Sequence, residues 1–406
     1  MLPIFKSLGG RATCLRCVHT SRAVPVEMKR QPLPTTTSIV YTIPKDPYQL
    51  AGKFRDLLRQ GKMDDAVAVV MQAKKSSQSA VVWNLVIDAY ARDGRLSRAL
   101  RGFTEMRRRG FQPTPSTYTC LFKACALSQA SKSVEVADEL YESMGRYGVE
   151  PTAVCTNALL SVYQRKHMVA KTLQRFNAMR MDGPEAPTLA TYTTVVSVLR
   201  RELQERLKQL DGVTRDSRIG QVAMAKERVH EMFSMLMQTW NTYLDDASRR
   251  MTERDQNRRW SAEGETPLLH FDARIVNLVL KACHIVYREN RALGRQGLKA
   301  AEAVYGLDRK IVGPLGQSGA AEADSLAPLA VRMRRMAPGG DGSKDAPAID
   351  STTIDLVLEL CRRDGELTKA VRFWRSVERH FVTTTPSTNN YAMYLDTLLQ
   401  RIQQSQ

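Results

Sequence analysis

The stretch Val82-Trp83-Asn84-Leu85-Val86-Ile87-Asp88-Ala89-Tyr90, followed by Asp93-Gly94-Arg95, then Ala99, Phe103 and Met106, and closing on Gly110-Phe111-Gln112-Pro113-Thr114, decides how this chain folds. The same succession returns at once. A second copy opens at Thr117-Tyr118-Thr119, runs through Ala137, Leu140, Tyr141 and Met144, and closes on Gly148-Val149-Glu150-Pro151-Thr152. A third opens at Cys155-Thr156-Asn157, passes Phe176 and Met179, and ends at Gly183, Pro187 and Thr188. A fourth begins at Thr191-Tyr192-Thr193. Asn84, Thr119, Asn157 and Thr193 hold equivalent places, 35, 38 and 36 residues apart. Self-similarity at such a period is the signature of a repeat architecture.

Within each copy, apolar residues recur at helical spacing, as at Leu85, Ile87, Ala89 and Tyr90, and again at Leu100, Phe103 and Met106. Each unit therefore reads as a helix, a short turn, a second helix and a Gly-x-x-Pro exit. The glycine supplies a left-handed cap, and the proline prevents further helix. One hairpin of this size cannot bury its apolar face alone, whereas stacked hairpins can. The expected fold is all-α: a superhelical solenoid of stacked helix-turn-helix hairpins with two insertions. Weaker copies flank the clear ones. Leu57–Val70 reads as a degenerate first unit, Ala273–Cys283 with Ala301 and Tyr305 as a later one, and Thr352–Cys361 with Ala370 and Phe373 as another.

Bulk composition narrows the function classes. The chain has 406 residues, is 43% hydrophobic and carries a net charge of +18. No stretch of about 18 unbroken apolar residues occurs, so no membrane span is expected. The excess of positive charge attracts polyanions, with nucleic acid the obvious partner. Seven cysteines at irregular spacing do not form a disulfide framework. Cys120, Cys125, Cys155, Cys283 and Cys361 fall in apolar helical segments and read as buried thiols; Cys14 and Cys17 make a single CxxC with no second pair. No metal site and no cofactor is expected.

The first residues differ from the rest. Up to position 45 there are seven bases and one acid, Glu27, with Leu2, Ile4, Phe5, Leu8 and Leu15 forming an apolar stripe. That is the makeup of a mitochondrial transit peptide; the competing reading is a basic tail that touches RNA directly. The sequence accordingly divides into a transit peptide (1–30), a linker (31–46) and regular repeats over 47–200. The units lie near 47–79, 80–114, 115–152 and 153–188, and another starts at 189–200. An extended helical region (201–270), a degenerate repeat (271–313), a flexible insertion (314–347) and a final repeat with a capping helix (348–400) complete it. Residues 201–265 carry the stripe Val229, Met232, Phe233, Leu236, Met237, Trp240, Tyr243 and Leu244, which reads as a greatly lengthened second helix. Arg332, Arg334 and Arg335 in the insertion are further candidates for contact with RNA.

A hairpin of this length with Tyr/Trp-Asn, a mid-repeat Asp-Gly-Arg, Ala-x-x-x-Phe-x-x-Met and a Gly-x-x-Pro-Thr exit resembles the pentatricopeptide repeat family. The tetratricopeptide repeat has a similar hairpin, but its Trp-x-x-Leu-Gly-x-x-Tyr signature is absent. The resemblance implies binding of single-stranded RNA, with one base edge read by the fifth residue of a repeat together with its last. Carried over, the pairs are Asn84 with Thr114, Thr119 with Thr152, and Asn157 with Thr188. Thr193 opens a pair without a placed mate, and Asn277 stands at the same place in a later unit, with Asp355 a weaker equivalent. The second residue of each unit, which stacks on bases in the family, is Val81, Ser116, Val154 or Ala190, with Val81 and Val154 the better platforms. The implied base preference alternates pyrimidine and purine; the three terminal threonines, where the family usually has Asp or Asn, weaken it. Asn84 and Asn157 have a competing reading as helix N-terminal caps. Arg92, Arg95 and Arg98 are candidates for phosphate contact, against a solvated outer face.

Some relatives in the family append a deaminase or nuclease. The His-x-Glu and downstream Cys-x-x-Cys of the deaminase are missing, and no histidine cluster has ligand spacing. The chain is therefore expected not to be an enzyme. Two functions remain: a mitochondrial matrix factor that binds mRNA, rRNA or intron RNA in processing, stability, splicing or translation, and a scaffold associated with the mitochondrial ribosome.

Overall fold

The computed structural model describes residues 33–35, 41–216, 219–256, 269, 272–305 and 349–380. The transit-peptide, insertion (314–347) and capping-helix readings, Cys14, Cys17 and the three insertion arginines lie outside these residues. Among the described residues the regular structure is helical throughout.

The described residues form seven hairpins in chain order. The first four are α1 (Pro47–Arg59) with α2 (Met63–Gln72), α3 (Ala80–Arg92) with α4 (Leu96–Arg108), α5 (Pro115–Leu127) with α6 (Ser133–Arg146), and α7 (Ala153–Arg165) with α8 (Val169–Asn177). The fifth is α9 (Leu189–Asp216) with α10 (Ile219–Gln256). The sixth is α11 (Ala273–Val286) with the short α12 (Arg291–Gly294) and α13 (Gln296–Tyr305). The last is α14 (Ser351–Asp364) with α15 (Leu367–His380). Each first helix packs on the next, α1 on α3, α3 on α5 and so on to α14, and each second helix also touches the first helix of the following hairpin. This is the layering of a solenoid.

Local chemistry explains the hairpins. Six of the first helices start at a side-chain cap: Asp46 before α1, Ser79 before α3, Thr114 before α5, Thr152 before α7, Asp272 before α11 and Asp350 before α14. Thr114 with Thr117, and Asp350 with Thr353, form reciprocal capping boxes. Between α3 and α4, Gly94 holds φ +67°, where a Cβ would also lie 3.2 Å from the Leu127 carbonyl oxygen. Only glycine meets both demands without strain. The corresponding turn between α7 and α8 has His167 at φ +57° instead.

The core is a continuous file of large side chains, with Trp83, Tyr90, Tyr118, Phe122, Tyr192, Trp240, Tyr243 and Tyr305 fully buried. Leu85 and Leu100 of the expected stripe are only half-buried, because Val82, Val86 and Ala99 face the neighbouring helices instead. Four of the five helical cysteines are buried as expected, and Cys120 is half-buried. Burial pushes the Cys125, Cys155, Cys283 and Cys361 thiols up to about 12, and Cys120 up to about 11. Such thiols are protonated and unreactive.

The fifth hairpin departs from the expectation of one lengthened second helix over 201–265. Its first helix is also overlong, running 28 residues to Asp216. The reason is a stripe that does not stop at residue 200: Tyr192, Val195, Val196, Leu199, Leu203, Leu207 and Leu210 are all buried at helical spacing. Across from them, Val229, Met232, Phe233, Leu236, Trp240 and Tyr243 of α10 are buried too. At the base of this hairpin Arg250 pairs with Asp246 at 2.7 Å, both side chains almost fully buried. Tyr192 Oη donates to Asp246 Oδ2 at 2.9 Å, and Arg250 also donates to the Pro187 carbonyl at 2.9 Å.

Candidate nucleic-acid interface

The first helices set a common register. Counting from the first residue of each, the fifth positions are Ala51, Asn84, Thr119, Asn157, Thr193, Asn277 and Asp355. The last residue of each repeat proves to be the N-cap of the next first helix. Fifth residue and next cap are therefore neighbours across the hairpin junction.

At the junction of α3 and α5, Asn84 Nδ2 donates to Thr114 Oγ1 at 3.4 Å, and Thr117 Oγ1 donates to Asn84 Oδ1 at 2.6 Å. The pattern recurs between α7 and α9. There Asn157 Nδ2 donates to Thr188 Oγ1 at 2.9 Å, and Thr191 Oγ1 donates to Asn157 Oδ1 at 2.6 Å. Between α11 and α14, Asn277 Nδ2 donates to both Asp350 oxygens at 3.0 Å, and Thr353 Oγ1 donates to Asn277 Oδ1 at 2.8 Å. Each asparagine thus clamps its own helix to the cap and the third residue of the next. Asn84 and Asn157 do not cap their own helices: Ser79 and Thr152 do.

The second junction is different. Thr119 Oγ1 donates to the Pro115 carbonyl one turn back, and Thr152 Oγ1 accepts from the Cys155 amide. Cys155 occupies the place that Thr117, Thr191 and Thr353 hold elsewhere, so the bridging hydroxyl is missing there. Thr193 is half-buried, and by register its mate is Asp272, the cap of α11. Asp272 and Asp350 escaped the sequence reading because the insertions before them break the repeat spacing. Asn84, Thr119 and Asn157 are half-buried at the surface, whereas Asn277 is only 7% exposed. Burial alone would raise the Asp350 carboxyl, but hydrogen bonds from Asn277 and Thr353 outweigh it and hold the group below the usual carboxylate range.

The second positions form an exposed row. Val81 is 59% and Val154 67% exposed, unusual for valine in a helix, and Ser116, Ala190 and Arg274 are exposed as well. Tyr48, 88% exposed at the second position of α1, extends the row and was not read from the sequence, since Ala51 leaves that repeat without a polar fifth residue.

The arginines sort differently from expectation. Arg92 is open to solvent beside Asp88, which also takes Lys123 of the next hairpin at 2.7 Å. Arg95 lies 3.5 Å from Asp93. Arg98 is mostly covered: it pairs with Asp64 of the preceding hairpin at 3.2 Å and lies over the Tyr90 ring. It joins hairpins through that pairing. Among the described residues no group of three or more His, Cys, Asp or Glu side chains is placed to hold a metal ion, and no helix is long and apolar enough to cross a membrane.

Comparison with known proteins agrees with this register. The profile described as PPR repeat family matches residues 78–127. The one described as pentatricopeptide repeat domain matches 103–166. A pentatricopeptide repeat-containing protein of Arabidopsis thaliana is 29% identical over 145 residues, 34% of this chain and 17% of that protein. The mitochondrial 15S rRNA processing factor of Yarrowia lipolytica is 30% identical over 121 residues, 29% of this chain and 16% of that protein. The chain thus spans less than a fifth of the length of these relatives. Among solved structures, the pentatricopeptide repeat protein PPR10 in complex with an 18-nt psaJ RNA element aligns over 89% of this chain and 54% of that one, at 17% identity and a TM-score of 0.33. Residues 78–166 match the pentatricopeptide repeat profiles, and their hairpins keep that repeat's register.

Proposed function

We propose that the protein binds single-stranded RNA along the row of first helices and acts in RNA processing in an organelle, the mitochondrial matrix by its leader. The observation that carries this is the register of α3, α5, α7 and α9. Half-buried polar fifth residues stand beside a row of exposed second residues, one set per hairpin, which suits a chain of unstacked bases. Asn84, Thr119, Asn157 and Thr193, with Thr114, Thr152 and Thr188, contact base edges; Val81 and Val154 offer apolar platforms between bases. Arg92 and Lys123 supply backbone attraction. Asn277 is closed on Asp350 and contributes junction stability. The kinship with an rRNA processing factor supports the organellar reading.

Fluorescence anisotropy with the full chain and a random single-stranded RNA pool tests this. Affinity should fall steeply between low and physiological salt, as contacts to phosphate demand. A selection from the same pool should enrich a base pattern that the Asn84→Ala, Thr119→Ala, Asn157→Ala triple variant loses while its circular dichroism stays helical. Absence of RNA binding, or an unchanged pattern in the triple variant, refutes the proposal. A scaffold on the mitochondrial ribosome is the second reading. It draws on the overlong α9–α10 hairpin, where Met224 and Met235 remain exposed. Stoichiometric co-sedimentation with a ribosomal subunit would favour it.

A further inference from the structure

An asparagine carboxamide has two faces of opposite character. Its oxygen accepts and its NH2 donates, and the two ends are nearly equal in shape. A lone asparagine on a helix turns freely and so distinguishes bases poorly. At the α3–α5 junction the 2.6 Å separation from Thr117 Oγ1 suits an O–H···O bond rather than the longer N–H···O bond, which turns Asn84 Oδ1 inward. Thr114 N–H donates to Thr117 Oγ1 at 3.0 Å. With that lone pair used, the single Thr117 hydroxyl proton goes to Asn84 Oδ1. Thr114 Oγ1 accepts one proton of Asn84 Nδ2. The second Nδ2 proton is left over. At the α7–α9 junction Thr188 N–H donates to Thr191 Oγ1 at 2.9 Å, and the same reasoning leaves one Nδ2 proton of Asn157. Thr117 and Thr191 are both fully buried, so water does not compete for their protons.

We infer that Thr117 and Thr191 are specificity-determining positioning residues: by holding Oδ1 inward they make Asn84 and Asn157 present an N–H donor to RNA. This rests on the proposed RNA-binding reading. A fixed donor favours a base that offers a carbonyl oxygen, as uracil, cytosine and guanine do. It disfavours adenine, which has no carbonyl oxygen and offers only ring nitrogens, with N1 and N7 flanked by its own NH2 group. The nucleotides concerned are those facing Asn84 and Asn157, one nucleotide apart, since Thr119 lies on the hairpin between them. The middle nucleotide is an internal control. There the third-position residue is Cys155, whose thiol meets the Thr119 hydroxyl, and the fifth residue carries no amide to orient.

The test is a selection of random single-stranded RNA 12-mers by the full chain and by Thr117→Val, Thr191→Val, Thr117→Ser and Thr191→Ser. The wild type should deplete adenine about fivefold at two positions separated by one, the size of one hydrogen bond gained against one lost. Thr117→Val should abolish the depletion at the first position only, and Thr191→Val at the second only. Each serine variant, which keeps the hydroxyl, should restore it. A merely structural role would lower affinity for every sequence alike. Depletion that survives in both valine variants overturns the inference while leaving RNA binding intact. Serine variants that behave as valine overturn it equally. A wild type that enriches no sequence refutes the selective RNA reading, and the inference with it.

Discussion

The clamp between α7 and α9 can be measured by a double-mutant cycle of Asn157→Ala and Thr191→Val. In Asn157→Ala two hydrogen bonds vanish, at 2.9 and 2.6 Å. Thr188 is half-buried, so water replaces its lost donor, but the Thr191 hydroxyl is fully buried. Its proton has one fallback, Thr188 Oγ1 at 3.2 Å. The cost is therefore about 1–2 kcal/mol, the lower part of the range for a stranded buried group. Thr191→Val removes the same Asn157 bond and also the acceptor for Thr188 N–H at 2.9 Å, again about 1–2 kcal/mol. Because the two variants share one bond, the double variant should be more stable than the sum of the singles predicts by about 1 kcal/mol. Repeat arrays unfold with only nearest-neighbour coupling, so the assay is hydrogen exchange resolved to the first turn of α9 at several urea concentrations. Strict additivity, with no coupling beyond about 0.3 kcal/mol, would refute the clamp as an energetic unit.

Three further outcomes are expected. His167→Gly should raise the thermal midpoint, since φ +57° costs a side chain about 1 kcal/mol that glycine does not suffer; a lower midpoint in calorimetry contradicts this. Asp246→Ala should destabilise the fifth hairpin by about 3 kcal/mol, because it breaks a buried ion pair with Arg250 and removes the acceptor of Tyr192. Asp246→Asn should fall in between, and limited proteolysis of α10 reads both. Finally, Asp350 titrates below the ordinary carboxylate range, so its contribution is present above the unfolded value and is lost as pH falls through the lower, folded one. Exchange protection at the start of α14 should therefore drop in acid, and Asp350→Asn, which still caps, should show a flatter acid response.

Repeat period and apolar spacing made the hairpins over 80–188 legible, while the pairing of Asn84 with Thr114 and of Asn157 with Thr188 was implied by the resemblance to the repeat family. Those pairs meet because the junction between hairpins has a fixed length there. Asp272 and Asp350 stayed hidden for the same reason, since long inserts precede both. The hydroxyls of Thr117 and Thr191 were quoted in the repeats without a role: a periodic pattern shows that a position is kept polar or small, not which way a proton points. The sequence gives the charge of Arg98 but not the Asp64 that sits across the junction from it. The length of α9 was missed because Glu202–Leu210 reads as charged, although Leu203, Leu207 and Leu210 continue one buried line through it.

The overlong fifth hairpin separates two quantities that a regular array ties together. α9 has 28 residues where α3, α5 and α7 have 13, an excess of about 22 Å at 1.5 Å per residue. All of the excess lies at the C-terminal end. Second and fifth residues sit near the N-terminal end, where every first helix is aligned by its cap. Growth of a hairpin in this direction thickens one edge of the array and leaves the spacing of the opposite edge untouched. Such an array can acquire a projecting arm in mid-course without losing count of its ligand.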